Sequence, residues 1–129
     1  LGLFQASLDG AFSLFDTRPE NEAALVDQFV RLYAETPRTS SEPSIIRMLL
    51  TNAHDEEVGE WVRDLYDQNV QAALRDLLGA ERAALFAAVL FGISVVEKSL
   101  KVDGIAEPKS ETYRAQLRHM MDAALNYKI

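Results

Sequence analysis

Apolar side chains recur along this chain at three- and four-residue steps, in blocks separated by short polar stretches. Leu1, Phe4, Leu8, Ala11 and Phe15 form the first stripe, which predicts a helix stopping near Asp16. The stretch TRPE at 17–20 reads as a capping box, with Thr17 accepting a backbone N–H and Glu20 reaching back. The next helix runs to about Glu35 and places Leu25, Phe29, Leu32 and Tyr33 on one face. TPRTSSEP at 36–43 has loop composition, and a short helix carrying Ile45, Ile46, Leu49 and Leu50 follows.

Asp55 opens a long helix with carboxylates in its first turn, where they suit the helix dipole. Val58, Trp61, Val62, Leu65, Tyr66, Asn69, Val70, Ala73, Leu74 and Leu77 hold the helical rhythm until Gly79 ends it. A helix over 80–102 and a turn at 103–108 come next. The last helix, 109–127, carries Tyr113, Leu117, Met120, Met121 and Ala124 on one stripe. No useful β-alternation appears. The expected fold is all-α, about six helices in one domain spanning 1–129.

The helix at 80–102 departs from the ordinary pattern. From Ala83 to Val96 it has no charged side chain. A surface helix buried on one side shows charge on the other; this one shows charge only at its ends. Its wheel has a bulky sector, Leu85, Phe86, Val89, Ile93, Val96 and Leu100, and a mainly small one, Ala84, Ala88, Gly92, Val95 and Ser99. The bulky sector is expected in the chain's own core. The small sector is expected to meet a second copy, together with Leu117, Met120, Met121 and Ala124 of the last helix. The competing account is a central helix wrapped by its own neighbours.

Composition narrows the function classes. The 129 residues carry a net charge of −7, which disfavours contact with a phosphate backbone. With no cysteine there is neither a disulfide framework nor thiolate chemistry, which fits a cytoplasmic location. No stretch reaches the ~20 apolar residues of a membrane span. The acidic cluster His54, Asp55, Glu56, Glu57 and Glu60 could ligate a metal, but carboxylates in a solvated first helical turn are the stronger account. His119 falls opposite the last helix's stripe. No nucleophile–base pair, serine elbow or phosphate loop is present, so neither catalysis, nor a metal, nor a cofactor is expected.

Phe4, Phe12, Phe29, Tyr33, Trp61, Tyr66 and Phe86 lie on or near buried stripes of successive helices. They can fill a core or line a small-molecule pocket, since apolar walls with a few polar-tipped aromatics suit both. On periodicity, the candidate lining is Phe4, Leu8, Phe29, Tyr33, Met48, Trp61, Leu65, Tyr66, Phe86 and Leu90. An enclosed cavity of a few hundred Å³ among the first four helices is expected if the pocket reading holds, on the order of the usual ligand cleft.

Three segments together resemble a known family. LGLFQASLDGAF resembles the start of the regulatory domain in TetR-type bacterial transcriptional regulators. RMLLTNAHDEEVGEWVRDLYDQNVQAAL resembles the helix pair that follows, and AALFAAVLFGISVVEKSLKVDGIAE the penultimate helix and turn of the actinobacterial branch. The resemblance implies a ligand-binding and dimerisation domain of a regulator, a repressor by family habit. Its last two helices would form a four-helix bundle with a second copy. A small hydrophobic effector would enter among the earlier helices, and DNA would be contacted only by an N-terminal helix-turn-helix domain outside this chain, which starts at Leu1. The alternatives are a constitutive helical dimerisation module with a filled core, or a helical-bundle metal protein or enzyme.

Overall fold

The computed structural model describes residues 19–35 and 45–128, with the side chains of 45–48, 98 and 99 outside the description. Every regular element among them is helical. The first expected helix, including Phe4, Leu8 and Phe12, lies outside the described residues, as does Thr17. Five helices follow one another: α1 (Glu22–Glu35), α2 (Ile45–Asn52), α3, α4 and α5 (Glu111–Leu125). α3 comprises Gly59–Tyr66, a π-helical turn Asp67–Gln71, and Ala72–Leu78; α4 comprises Ala80–Ser94 and a π-helical turn Val95–Ser99.

Local chemistry sets the boundaries. α1 is capped by Asn21, whose Oδ1 accepts from the Ala24 N–H at 2.8 Å, so the helix starts after the TRPE stretch. Asp55 Oδ1 accepts from the N–H groups of Glu57 and Val58. Those two bonds hold its carboxyl below the ordinary range. They organise a turn before α3 rather than its first residues. Gly59 begins α3 against the backbone of α2's end: a Cβ there would sit 2.7 Å from the Ala53 carbonyl oxygen. Gly79, at φ 85°, turns α3 into α4. Ser110 caps α5, its Oγ accepting from Tyr113 N–H at 3.1 Å.

The core gathers where α1, α4 and α5 meet, with the second half of α3 against α4 and α2 against the start of α3. α1 contributes Leu25, Val26, Phe29 and Val30; α4 contributes Ala83, Phe86, Leu90 and Ile93; α5 contributes Tyr113, Leu117, Met121 and Ala124. Each set repeats at helical spacing, and full burial of one such side chain is worth about 1.5–3 kcal/mol. Arg82 ties α4 to three other helices at one end: it donates to the Leu78 and Leu125 carbonyls and pairs with Glu22. Arg118 with Asp27 and Arg114 with Glu35 link α5 to α1. Among the described residues no helix is long and apolar enough to cross a membrane.

Candidate functional site

The expected aromatic residues converge, but on one another. Phe29 and Phe86 meet edge to face at 5.6 Å, and Tyr66 meets Phe91 the same way at 5.4 Å. The Tyr33 hydroxyl donates to the Leu90 carbonyl at 2.8 Å and accepts from Ser94 Oγ at 3.0 Å. The Tyr66 hydroxyl donates to Gln71 Oε1 at 2.9 Å. Burial pushes the Tyr33 phenol up to about 12, against a smaller lowering by Ser94. Tyr66 is also raised, first by burial and then by the proximity of Tyr33 and Asp67. Both phenols are therefore neutral hydrogen-bonding groups over the physiological range. Phe86 and Leu90 are buried, while Trp61 and Leu65 are half-buried and packed on the core. Phe4, Leu8 and the Met48 side chain lie outside the described residues.

Open space lies one turn away. A groove of about 220 Å³ runs between the first half of α1 and the second half of α3. Its walls are Leu25 and Phe29 from α1 and Val70, Ala73, Leu74 and Leu77 from α3; Gln28, Asn69 and Asp76 supply polar groups, and Pro19 borders it. Of the seven expected lining residues whose side chains are described, only Phe29 reaches it. The groove is open on one side rather than enclosed. Its α3 wall was legible in part: Asn69, Ala73 and Asp76 recur at i, i+4 and i+7, directly beside the buried Val70 and Leu74 and the half-buried Leu77. Large aromatics drew attention to the packed cluster instead.

The outward side of α4 is the second feature. Ala84, Ala88 and Gly92 are exposed, and a Cβ added at Gly92 would meet none of the described residues within 4 Å. Leu85 (38% exposed) lies on this outward side rather than in the chain's own core, and Met120 of α5 is 46% exposed. Val95 is half-buried, and the Ser99 side chain is not described. Leu117, Met121 and Ala124, expected at a contact with a second copy, are buried in this chain's own core. The stripe they form turns towards α1 and α4, whose packing on α5 covers it.

The acidic start of α3 shows no ligand geometry. His54, Asp55, Glu56, Glu57 and Glu60 are all exposed, and among the described residues no group of three His, Cys, Asp or Glu side chains could hold a metal ion. His119 is exposed on α5.

Residues 24–125 match a family model described as the tetracyclin repressor-like C-terminal domain. No curated protein and no solved structure is significantly similar to the chain.

Proposed function

Because this chain belongs to the tetracyclin repressor-like C-terminal domain family, we propose that it is the effector-sensing and homodimerisation domain of a transcriptional regulator, a repressor. The observation that carries the dimer is the outward side of α4. It presents Ala84, Leu85, Ala88 and Gly92 beside Met120 of α5, an apolar surface with its charges only at the helix ends. Small residues there let a second backbone approach closely, and the self-complementary contact of a two-fold dimer suits one patch meeting its own copy. Val95 extends that patch, and the proposed contact includes Ser99, whose side chain lies outside the described residues.

The groove between α1 and α3 is the proposed effector site. Its aliphatic walls fit a small, mostly apolar molecule, with Gln28, Asn69 and Asp76 to orient a polar end. Binding would favour one arrangement of the dimer over another and so alter DNA contact by a helix-turn-helix domain in the parent protein. Only a difference in affinity between the two arrangements is needed. The packed aromatic cluster favours the second reading, a dimerisation module without effector.

The two readings separate with a neutral fluorescent probe, N-phenyl-1-naphthylamine. Saturable binding that Ala73→Phe weakens about tenfold or more, a loss near 1.4 kcal/mol, supports the effector site. Absence of saturable binding, or binding indifferent to Ala73→Phe, supports the module. Size-exclusion with light scattering at micromolar concentration tests the dimer; a monomer mass overturns it.

A further inference from the structure

Tyrosines aside, Ser94 is the one polar side chain in the core among the described residues, at 4% exposure. A serine inside a helix ordinarily turns its hydroxyl back to the carbonyl four residues earlier, here Leu90. In this protein that carbonyl accepts from Tyr33, and Ser94 donates to Tyr33 instead. The Tyr33 hydroxyl thus stands between the serine and its usual partner, giving the chain Ser94 Oγ–H to Tyr33 Oη–H to the Leu90 carbonyl.

The α-helical ladder of α4 ends at this point. Ser94 is the last α-helical residue, and the π-helical turn begins at Val95. Beyond it, Leu100 N–H bonds to the Val95 carbonyl at 2.9 Å, five residues back. Side-chain insertion beside the ladder is one recognised cause of such a change in helical winding. Tyr33 comes from α1, whose other half forms one wall of the groove through Leu25, Gln28 and Phe29. Phe29 rests on Phe86, one turn before Leu90. Besides the Glu22–Arg82 pair at its start, α1 therefore touches α4 beside the groove through Phe29 and at the change of winding through Tyr33. Past that change, Leu100 and Val102 are 65% and 49% exposed.

We infer that Tyr33 is a coupling residue: its hydroxyl holds the α-to-π transition of α4 at Ser94–Val95, and so sets how the exposed apolar residues beyond it align with the outward Ala84, Ala88 and Gly92. A shift of α1 at the groove reaches the change of winding in α4 through this hydroxyl. The consequence for regulation rests on the effector-and-dimer reading; the hold on α4 does not.

The test is hydrogen exchange by mass spectrometry on the full chain, comparing wild type with Tyr33→Phe and Ser94→Ala, alongside sedimentation. Tyr33→Phe keeps the ring and deletes both bonds. Amides 95–102 are expected to exchange about 5- to 30-fold faster, the scale of one to two lost hydrogen bonds, while those of α5 stay within about twofold. Ser94→Ala deletes one bond and is expected to give a smaller rise at the same amides. Unchanged exchange at 95–102 overturns the proposal, as does a rise spread evenly over all helices, which marks ordinary loss of core stability. Should Tyr33→Phe fail to fold, Ser94→Ala decides by the same local criterion. Sedimentation separates the two layers: a monomeric wild type removes the dimer reading and leaves the exchange result to judge the hold. If wild type dimerises, Tyr33→Phe is expected to weaken association by about fivefold or more, and unchanged association together with a local rise overturns the coupling.

Discussion

Gly92 offers a perturbation that acts oppositely on the chain and on its assembly. It lies in the last turns of the α-helical part of α4, exposed, with none of the described residues within 4 Å of where a Cβ would be. Within one chain, glycine in a helix costs about 0.5–1 kcal/mol relative to alanine because the unfolded backbone has more freedom to lose. Gly92→Ala is therefore expected to stabilise the isolated fold by about that amount. Gly92→Arg should keep most of that gain, since arginine is also a good helix former and none of the described residues obstructs the side chain.

In a dimer packed on this face the same arginine is a charge without a partner. Ala84, Ala88 and Leu85 beside it offer no carboxylate. Uncompensated burial costs several kcal/mol, about 3–5 where the site is fully desolvated, or roughly two to four orders of magnitude in dissociation constant. A guanidinium that reaches the rim of the contact lowers the cost toward the bottom of that range. Sedimentation velocity over a concentration series reads the association. Urea denaturation at low protein concentration reads the single chain, because dimer formation otherwise adds a concentration-dependent contribution to apparent stability. An arginine variant that associates as wild type does would refute the placement of Gly92 in the contact. A variant that loses chain stability at low concentration would refute its open surroundings.

Three further outcomes are expected. Gly59→Ala places a Cβ against the Ala53 backbone carbonyl and should lower stability by about 1–3 kcal/mol, the usual cost of overpacking, measured by urea denaturation. Arg82→Met removes the contacts with Glu22 and with the Leu78 and Leu125 carbonyls; a loss of about 1–2 kcal/mol is expected, discounted because Glu22 is 46% exposed, and a loss below about 0.5 kcal/mol in the same assay would contradict the inter-helix tie. Tyr33 is raised in the fold to about 12, so its contribution is complete below the ordinary tyrosine value near 10 and is lost as pH rises from there through 12; tyrosinate absorbance of Tyr33→Phe should lack a component titrating in that window.

How far the sequence carried varied with the physical signal. Helix positions followed from apolar spacing, which reports burial directly, and Gly79 stands where glycine was expected to end a helix. Asn21 was overlooked beside the more conspicuous Thr17–Glu20 spacing, though a lone side-chain acceptor suffices to cap a helix. The two π-helical turns left no trace in periodicity, because one extra residue per turn shifts a stripe by less than the width of the stripe itself. What marks them in the structure is side-chain hydrogen bonding: Tyr66 to Gln71 across one, and Tyr33 to Leu90 and Ser94 before the other.

The candidate sites divide along the same line. Charge absence over Ala83–Val96 is a one-dimensional signal, and it located the helix with the outward apolar surface. It could not say which apolar residues face outward. Leu85 was assigned to the core by size, yet it adjoins the small sector and follows it to the surface. Leu117, Met121 and Ala124 were assigned outward as a stripe, yet α5 has α1 on one flank and α4 on the other, and both need that stripe. Size sorts residues by what they could pack against, whereas exposure depends on which neighbours arrive. That same limit explains the groove. Large aromatics attract one another and close the space between them, as Phe29 with Phe86 and Tyr66 with Phe91 do. Space persists where smaller side chains such as Val70 and Ala73 face α1, so in this fold the residues best suited to sealing a core mark the place beside the groove, and the smaller ones mark the groove.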